Sequence, residues 1–266
     1  MSNPQMFAKL QASRRVWAVA SIHGEAARLA RLHRQLAARL ERGDRVVYLG
    51  NLLGRGGDVR GTLDELILFR RVLLSRPRCF VSDIAYLRGG QEEMWQKLLQ
   101  LQFATDPRGT LDWMLAQGVG ATLEAYGGRA ADGTREATAG ALALTRWTSS
   151  LREAMQRQPG HFQLIGALRR AAYTDDRRLL LVNTGLDPTR PLEAQSDSFW
   201  WNSAAFNRIS EPYSSFQRVI RGYDPAHPGI AFGPQTATVD AGCGFGGPLL
   251  AACFDLSGEL VETLEA

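Results

Sequence analysis

Three times in the first hundred residues, a short apolar run gives way to a polar or glycine-rich loop and then to a helical pattern. The first run spans 16–20, turns through Ser21, Ile22, His23 and Gly24, and continues as a helix from Glu25 with Ala26, Leu29, Leu32, Leu36 and Leu40 at helical spacing. The second spans 45–50, passes a loop at 51–58 and enters a helix over 62–75. Pro77 breaks the chain, a third strand is expected at 79–81, and Glu92 opens the next helix after a turn at 86–90. Repeated β-loop-α order is satisfied by parallel strands with their loops at one edge of one sheet. Chemistry in such folds gathers where the carboxyl ends of the strands meet, which places His23 at the edge that matters.

The remaining chain divides by pattern. Residues 1–14 are polar and expected to be flexible, and 15–266 form one domain. Within it, 105–170 read as a helical insertion with breaks at 118–120 and 127–133. Strands return at 178–183 and 219–222, then at 236–239, 248–256 and 259–263, with the glycines of 242–247 as a hairpin turn between the first two of that last group. The net charge is +4 and almost all the basic charge is arginine, the only lysines being Lys9 and Lys97. That balance fits a GC-rich genome or a surface for phosphate and carboxylate groups. The charge is scattered, so no specific nucleic-acid binding is expected. Cys79, Cys243 and Cys253 lack zinc-motif spacing and read as free thiols of a reducing compartment. No apolar segment approaches membrane-spanning length, and a soluble cytoplasmic protein without membrane contact is expected. His33 and His161 read as solvated helix residues, and Trp200-Trp201 as either a core anchor or a contact patch.

The loops, taken in order, carry ASIHG (20–24), GNLLGRG (50–56), GGQE (89–92), NTG (183–185) and GYDP (222–225). Flanking these are YLRG (86–89), LDPTRPL (186–192), DAG (240–242) and FGG (245–247). This series resembles the calcineurin-like metallophosphoesterases, and within them the bacterial serine/threonine protein phosphatases and diadenosine tetraphosphate hydrolases. Their motifs run GDxHG, GDxxDRG, GNHE, HAG and GHTP. The resemblance covers about residues 15–262 and implies a four-layer α/β sandwich, two mixed β-sheets flanked by helices, with the insertion added. It also implies a site for two divalent metals of the Mn, Fe or Zn type, which activate water against phosphorus.

The residues at the matching positions change that expectation. Ser21 stands where the family has its first Asp, Asn51 at the bridging Asp, and Gly54 at the Asp that orients the proton donor. Gly90 stands at the Asn ligand, Gln91 at the proton-donating His, and Asn183 and Tyr223 at the two late His ligands. Of the ligands the resemblance implies, His23 alone is kept. Neutral oxygens do not balance two divalent cations, and glutamine is no acid near neutral pH. Arg55 matches the family's phosphate-contacting arginine, and with carboxylates gone around it the crevice should be electropositive.

No metal or cofactor is therefore expected. The leading expectation is a metallophosphatase-fold pseudoenzyme that binds a phosphate-bearing ligand or protein partner through Arg55 and His23. Two alternatives stay open: a divergent metal-dependent phosphoesterase with a site rebuilt from His23, Asp224 and His227, and a purely structural scaffold.

Overall fold

The computed structural model describes residues 6–266, so residues 1–5 of the expected flexible terminus lie outside it. The chain opens with β1 (Phe7–Leu10) and β2 (Arg15–Val19), then α1 (Ala26–Arg39), β3 (Asp44–Tyr48), α2 (Val59–Leu74), β4 (Ile84–Tyr86) and α3 (Gly90–Leu98). The insertion holds α4 (Pro107–Ala116), α5 (Gly120–Ala125), α6 (Ala130–Ala139), α7 (Ala141–Gln156) and α8 (His161–Gly166). It is followed by β5 (Ala171–Thr174), β6 (Leu179–Val182), α9 (Ser198–Trp201), α10 (Ser203–Phe206) and β7 (Arg218–Arg221). The C-terminal part is β8 (Gly229–Phe232), β9 (Thr236–Asp240), β10 (Leu250–Asp255) and β11 (Leu260–Glu265).

Among the described residues the strands form two mixed sheets, ordered β1-β5-β6-β7-β9-β8 and β11-β10-β2-β3-β4. In the second sheet β2, β3 and β4 run parallel, so the loops after them share one edge. The period-two alternation of strands explains how the layers stack. On β6, Leu179 and Leu181 join the main core between the sheets, whereas Leu180 and Val182 face a second cluster with Phe199, Phe206 and Phe216. The first sheet is thus buried on both faces at β6. The insertion is no separate body, because Leu111, Met114, Leu123, Leu144 and Leu151 belong to the same main core as Trp17 and Val47. Two insertion and loop helices start on side-chain caps: Asp58 accepts from the Gly61 amide, and Asp106, ahead of Pro107, from that of Gly109.

The structure departs from the sequence pattern in several places. The third strand lies at Ile84–Tyr86, not 79–81. Phe80 and Val81 are exposed, and the Asp83 carboxylate accepts from the Phe80 amide at 2.9 Å, closing a 3-10 turn over Val81–Asp83 ahead of the strand. Residues 7–10, inside the stretch expected to be flexible, form β1, which pairs in parallel with β5 and buries Leu10. Strands β5 and β8 carry too little contrast to be read from the pattern. The glycines of 242–247 do not close a hairpin: β9 and β10 lie in different sheets, and Gly242, Gly244 and Gly246 take positive φ as the chain crosses between them. His33 and His161 are not solvated. His33 bonds Tyr48 and Glu65 (2.9 and 2.6 Å), and His161 bonds Tyr126 and Asp64 (2.9 and 3.0 Å).

Candidate functional site

The loops after β2, β3 and β4 meet as the strand order requires. The Asn51 carbonyl accepts from the Ile22 and His23 amides (3.0 and 2.7 Å), and the His23 carbonyl from the Gly56 amide at 2.6 Å. His23, Asn51 and Arg55 all hold left-handed backbone (φ 54°, 50° and 50°), a conformation few non-glycine residues adopt. Glu92 fixes the assembly. Its buried carboxylate accepts from the amides of Asn51, Leu53 and Gly89 (2.9, 2.9 and 2.7 Å), binding the second loop to the third. Burial pushes that carboxyl upward, and the three amides work against the shift.

The matched residues come together around a cleft of about 170 Å³ lined by His23, Asn51, Arg55, Gln91, Trp201 and Tyr223. Many of their polar atoms are spent on bonds within the protein. The Asn51 side chain donates to Ser21 Oγ (3.1 Å), and its Oδ1 accepts from the Gln91 amide (3.0 Å). Asn183 donates to the Leu49 carbonyl (2.7 Å) and accepts from Thr184 Oγ1 (3.0 Å). Gln91 Nε2 donates to the Gln117 carbonyl of the insertion at 2.8 Å, leaving its Oε1 buried without a partner.

Two glycine positions are filled by neighbours. A Cβ at Gly54 would meet Gln91 Oε1, and one at Gly90 would stand 2.9 Å from Cζ3 of Trp201. Trp201 therefore occupies the space into which a side chain at position 90 would project. Of the Trp200-Trp201 pair, Trp200 is buried with its Nε1 bonded to the Arg88 carbonyl (2.9 Å), while Trp201 is 41% exposed beside Trp113.

His23 sits in an aromatic cage. Its ring meets Tyr223 and Phe245 edge-on at 5.8 and 5.4 Å, and both ring nitrogens are buried without a partner. Burial, then the charges of Arg55 and His227, push the imidazole down to about 3. The Arg55 guanidinium lies 4.1 Å from the Phe245 ring centre, and its Nε is buried and unpartnered. No Asp or Glu lines the cleft, so this cation faces neutral groups only. The sequence marks Phe245 within a flanking motif and Trp201 within a tryptophan pair but assigns neither to the site, because their contribution is the face and bulk of a ring placed by another loop. Cys243, in the same crossing as Phe245, is an inert buried thiol: it is pushed up to about 12 by burial and lies 3.3 Å from the Ile22 carbonyl.

The acidic residues in and near the motif loops serve the fold. Asp58 caps α2, and Asp187 accepts from Thr189. The Asp224 carboxylate pairs with Arg221 and accepts from the Ala226 amide, and His227 Nδ1 lies 2.9 Å from Asp240. His227 packs near Phe245, but Asp224 is turned to Arg221 rather than toward His23. No group of three or more His, Cys, Asp or Glu is placed to hold a metal ion among the described residues. The donors at the motif positions are neutral, and Asn51, Gln91 and Asn183 are engaged in bonds within the protein, a set that does not fit a pair of divalent cations.

No protein-family model matches the sequence, and neither does any curated protein sequence. Solved structures do. A protein assigned as a diadenosine tetraphosphatase superposes with a TM-score of 0.53 at 19% identity, covering 98% of each chain. A serine/threonine phosphatase from Saccharomyces cerevisiae gives 0.53 at 14% identity, over 99% of this chain and 84% of that one. A cold-active protein tyrosine phosphatase gives 0.51 at 13%, over 98% and 82%. At these identities the likeness speaks to architecture alone, and this chain shares the fold of these phosphatases, an α/β sandwich of two mixed sheets flanked by helices.

Proposed function

We propose that this protein is a pseudoenzyme of the metallophosphatase fold, which binds a phosphate-bearing ligand, free or carried on a protein, and does not hydrolyse it by metal-activated water. The observation that carries the proposal is the Arg55 guanidinium, which lines a cleft without a carboxylate and has its Nε unpaired. An anion entering there meets an uncompensated charge and the idle ring nitrogens of His23. The neutral donor set at Ser21, Asn51, Asn183 and Tyr223 supports the inactive half of the reading. Burial first, and the Arg55 charge after it, hold His23 neutral, so Arg55 is the cation that meets an anion there and the His23 ring can add only a neutral N–H. A cytoplasmic location belongs to the same proposal, supported by the free thiols of Cys79, Cys243 and Cys253.

Titration calorimetry and thermal shift with inorganic phosphate, AMP and a phosphoserine peptide test it. Heat and a raised Tm with at least one of these are expected, both lost in Arg55→Ala. Absence of binding to all three, or binding that survives Arg55→Ala, refutes the ligand half. Stoichiometric bound metal together with p-nitrophenyl phosphate turnover that disappears in His23→Ala refutes the inactive half.

A further inference from the structure

The carboxyl ends of β2, β3 and β4 carry the cleft, and their amino ends carry a surface of different chemistry. The chain enters β2 past Arg14, β3 past Arg42 and the turn before β4 past Arg78, all three exposed. Their side chains form no ion pair with any described residue. With Arg45 and Phe80 they ring a depression of about 570 Å³ in which four arginines stand against one carboxylate, Asp83. That carboxylate is already committed, 3.4 Å from Arg45 Nε and bonded to the Phe80 amide. On the other side of Phe80 runs a groove of about 800 Å³ floored by Ile67, Leu74 and Ile84 and rimmed by Lys9, Arg70 and Arg71, with no Asp or Glu in its lining. Between the two, Phe80 and Val81 are 62% and 58% exposed on a ridge held by the Asp83 turn.

Arginine-rich composition alone does not produce this arrangement. Some guanidinium groups elsewhere meet carboxylates, as in Arg15 with Asp44, Arg88 with Glu93 and Arg135 with Asp132, and what sets this face apart is that arginines from three loops converge on one depression beside exposed apolar residues. Here the unpaired cations from three loops surround an apolar ridge. Apolar residues exposed together and rimmed by one sign of charge mark an interaction site. The charge selects an acidic occupant, and the apolar groove selects one with aliphatic or aromatic side chains. Nucleic acid and small anions offer the first property without an apolar anchor.

We propose that this face docks a segment of a partner protein rich in carboxylates and bearing an apolar anchor. The anchor lies in the groove beside Phe80 and Val81, and the carboxylates reach Arg14, Arg42 and Arg78.

Fluorescence anisotropy on the full chain tests this with a fluorescein-labelled peptide alternating Glu with Leu and Phe. Its lysine counterpart, poly-glutamate and an oligothymidylate serve as controls. The mixed acidic peptide is expected to bind alone among the four and to weaken with added salt. The double variant Arg14→Glu, Arg78→Glu should loosen it by about tenfold or more, and Phe80→Ser by about fivefold or more. All three positions are exposed, so melting curves should stay unchanged. Arg42→Glu, on another loop, repeats the charge test should the double variant unfold. Failure of the mixed peptide to bind, or binding indifferent to these substitutions, overturns the proposal. So does equal binding of poly-glutamate or the oligonucleotide, since the apolar ridge then contributes nothing.

Discussion

At the scale of single residues, His23 is a base made almost untitratable by its surroundings. The unfolded chain takes up a proton at an imidazole near pH 6.5, whereas the folded ring resists it down to about 3. The folded pKa is the lower one. The stability contributed by the neutral ring is therefore fully present above about pH 6.5 and is lost progressively as pH falls toward 3. In NMR titrations the His23 ring should show no protonation between pH 7 and 5. The fall in Tm over that interval should be shallower in His23→Phe, which keeps a ring in the cage. An unchanged slope in the variant, or titration of the ring near pH 6, contradicts this account. His23 could be found from its motif, but its state could not. The partners that set it, Tyr223 and Phe245, come from strand ends distant in sequence. Gln91 is similar: its type is plain, but its reach to the insertion and into the space above Gly54 is visible only in three dimensions.

At the scale of elements, the loops owe their shape to one glutamate. Replacing Glu92 by Ala leaves the amides of Asn51, Leu53 and Gly89 buried without their acceptor. At about 1–3 kcal/mol for each orphaned donor, the loss should exceed that of an ordinary core truncation. Urea unfolding of Glu92→Ala measures it, and a change below about 1 kcal/mol would show that the loops hold by packing instead. Helix α2 is tied down comparably, since consecutive residues Asp64 and Glu65 reach His161 on α8 and His33 on α1. Most elements were readable where apolar periodicity is strong, as in α1, α2, β3 and β6. The failures have physical causes. Cys79, Phe80 and Val81 have strand-like side chains, but Cys79 packs partly buried against the core while Phe80 and Val81 form an exposed ridge ahead of the strand. The glycine crossing after β9 looks like a hairpin because nothing local says that the next strand belongs to another sheet. His33 and His161 look solvated because their tyrosine and carboxylate partners lie on other elements.

At the scale of the whole molecule, the insertion and the sandwich share one core. Leu111, Leu123 and Leu151 pack into the cluster that contains Trp17, Val47 and Leu181. Unfolding should accordingly be a single cooperative event, with calorimetric and van't Hoff enthalpies in agreement and far-UV and tryptophan signals coincident. Two transitions would mean that the insertion is an independent unit. The layered sandwich was legible through the resemblance that the loop motifs carry, whereas the sharing of the core was not, because helical periodicity shows that a face is buried without showing against what. No helix among the described residues is long and apolar enough to cross a membrane.

The tryptophan seated over Gly90 has a consequence for how this sequence can change. An asparagine at position 90 meets an indole, and an aspartate at position 54 meets the Gln91 side chain on a backbone of positive φ. The first substitution requires Trp201 to move or change as well, and removing Trp201 alone opens a void at the mouth of the cleft. The second is strained even once the Gln91 side chain swings aside. Selection for stability alone therefore holds both glycines, whatever becomes of selection on the site's chemistry.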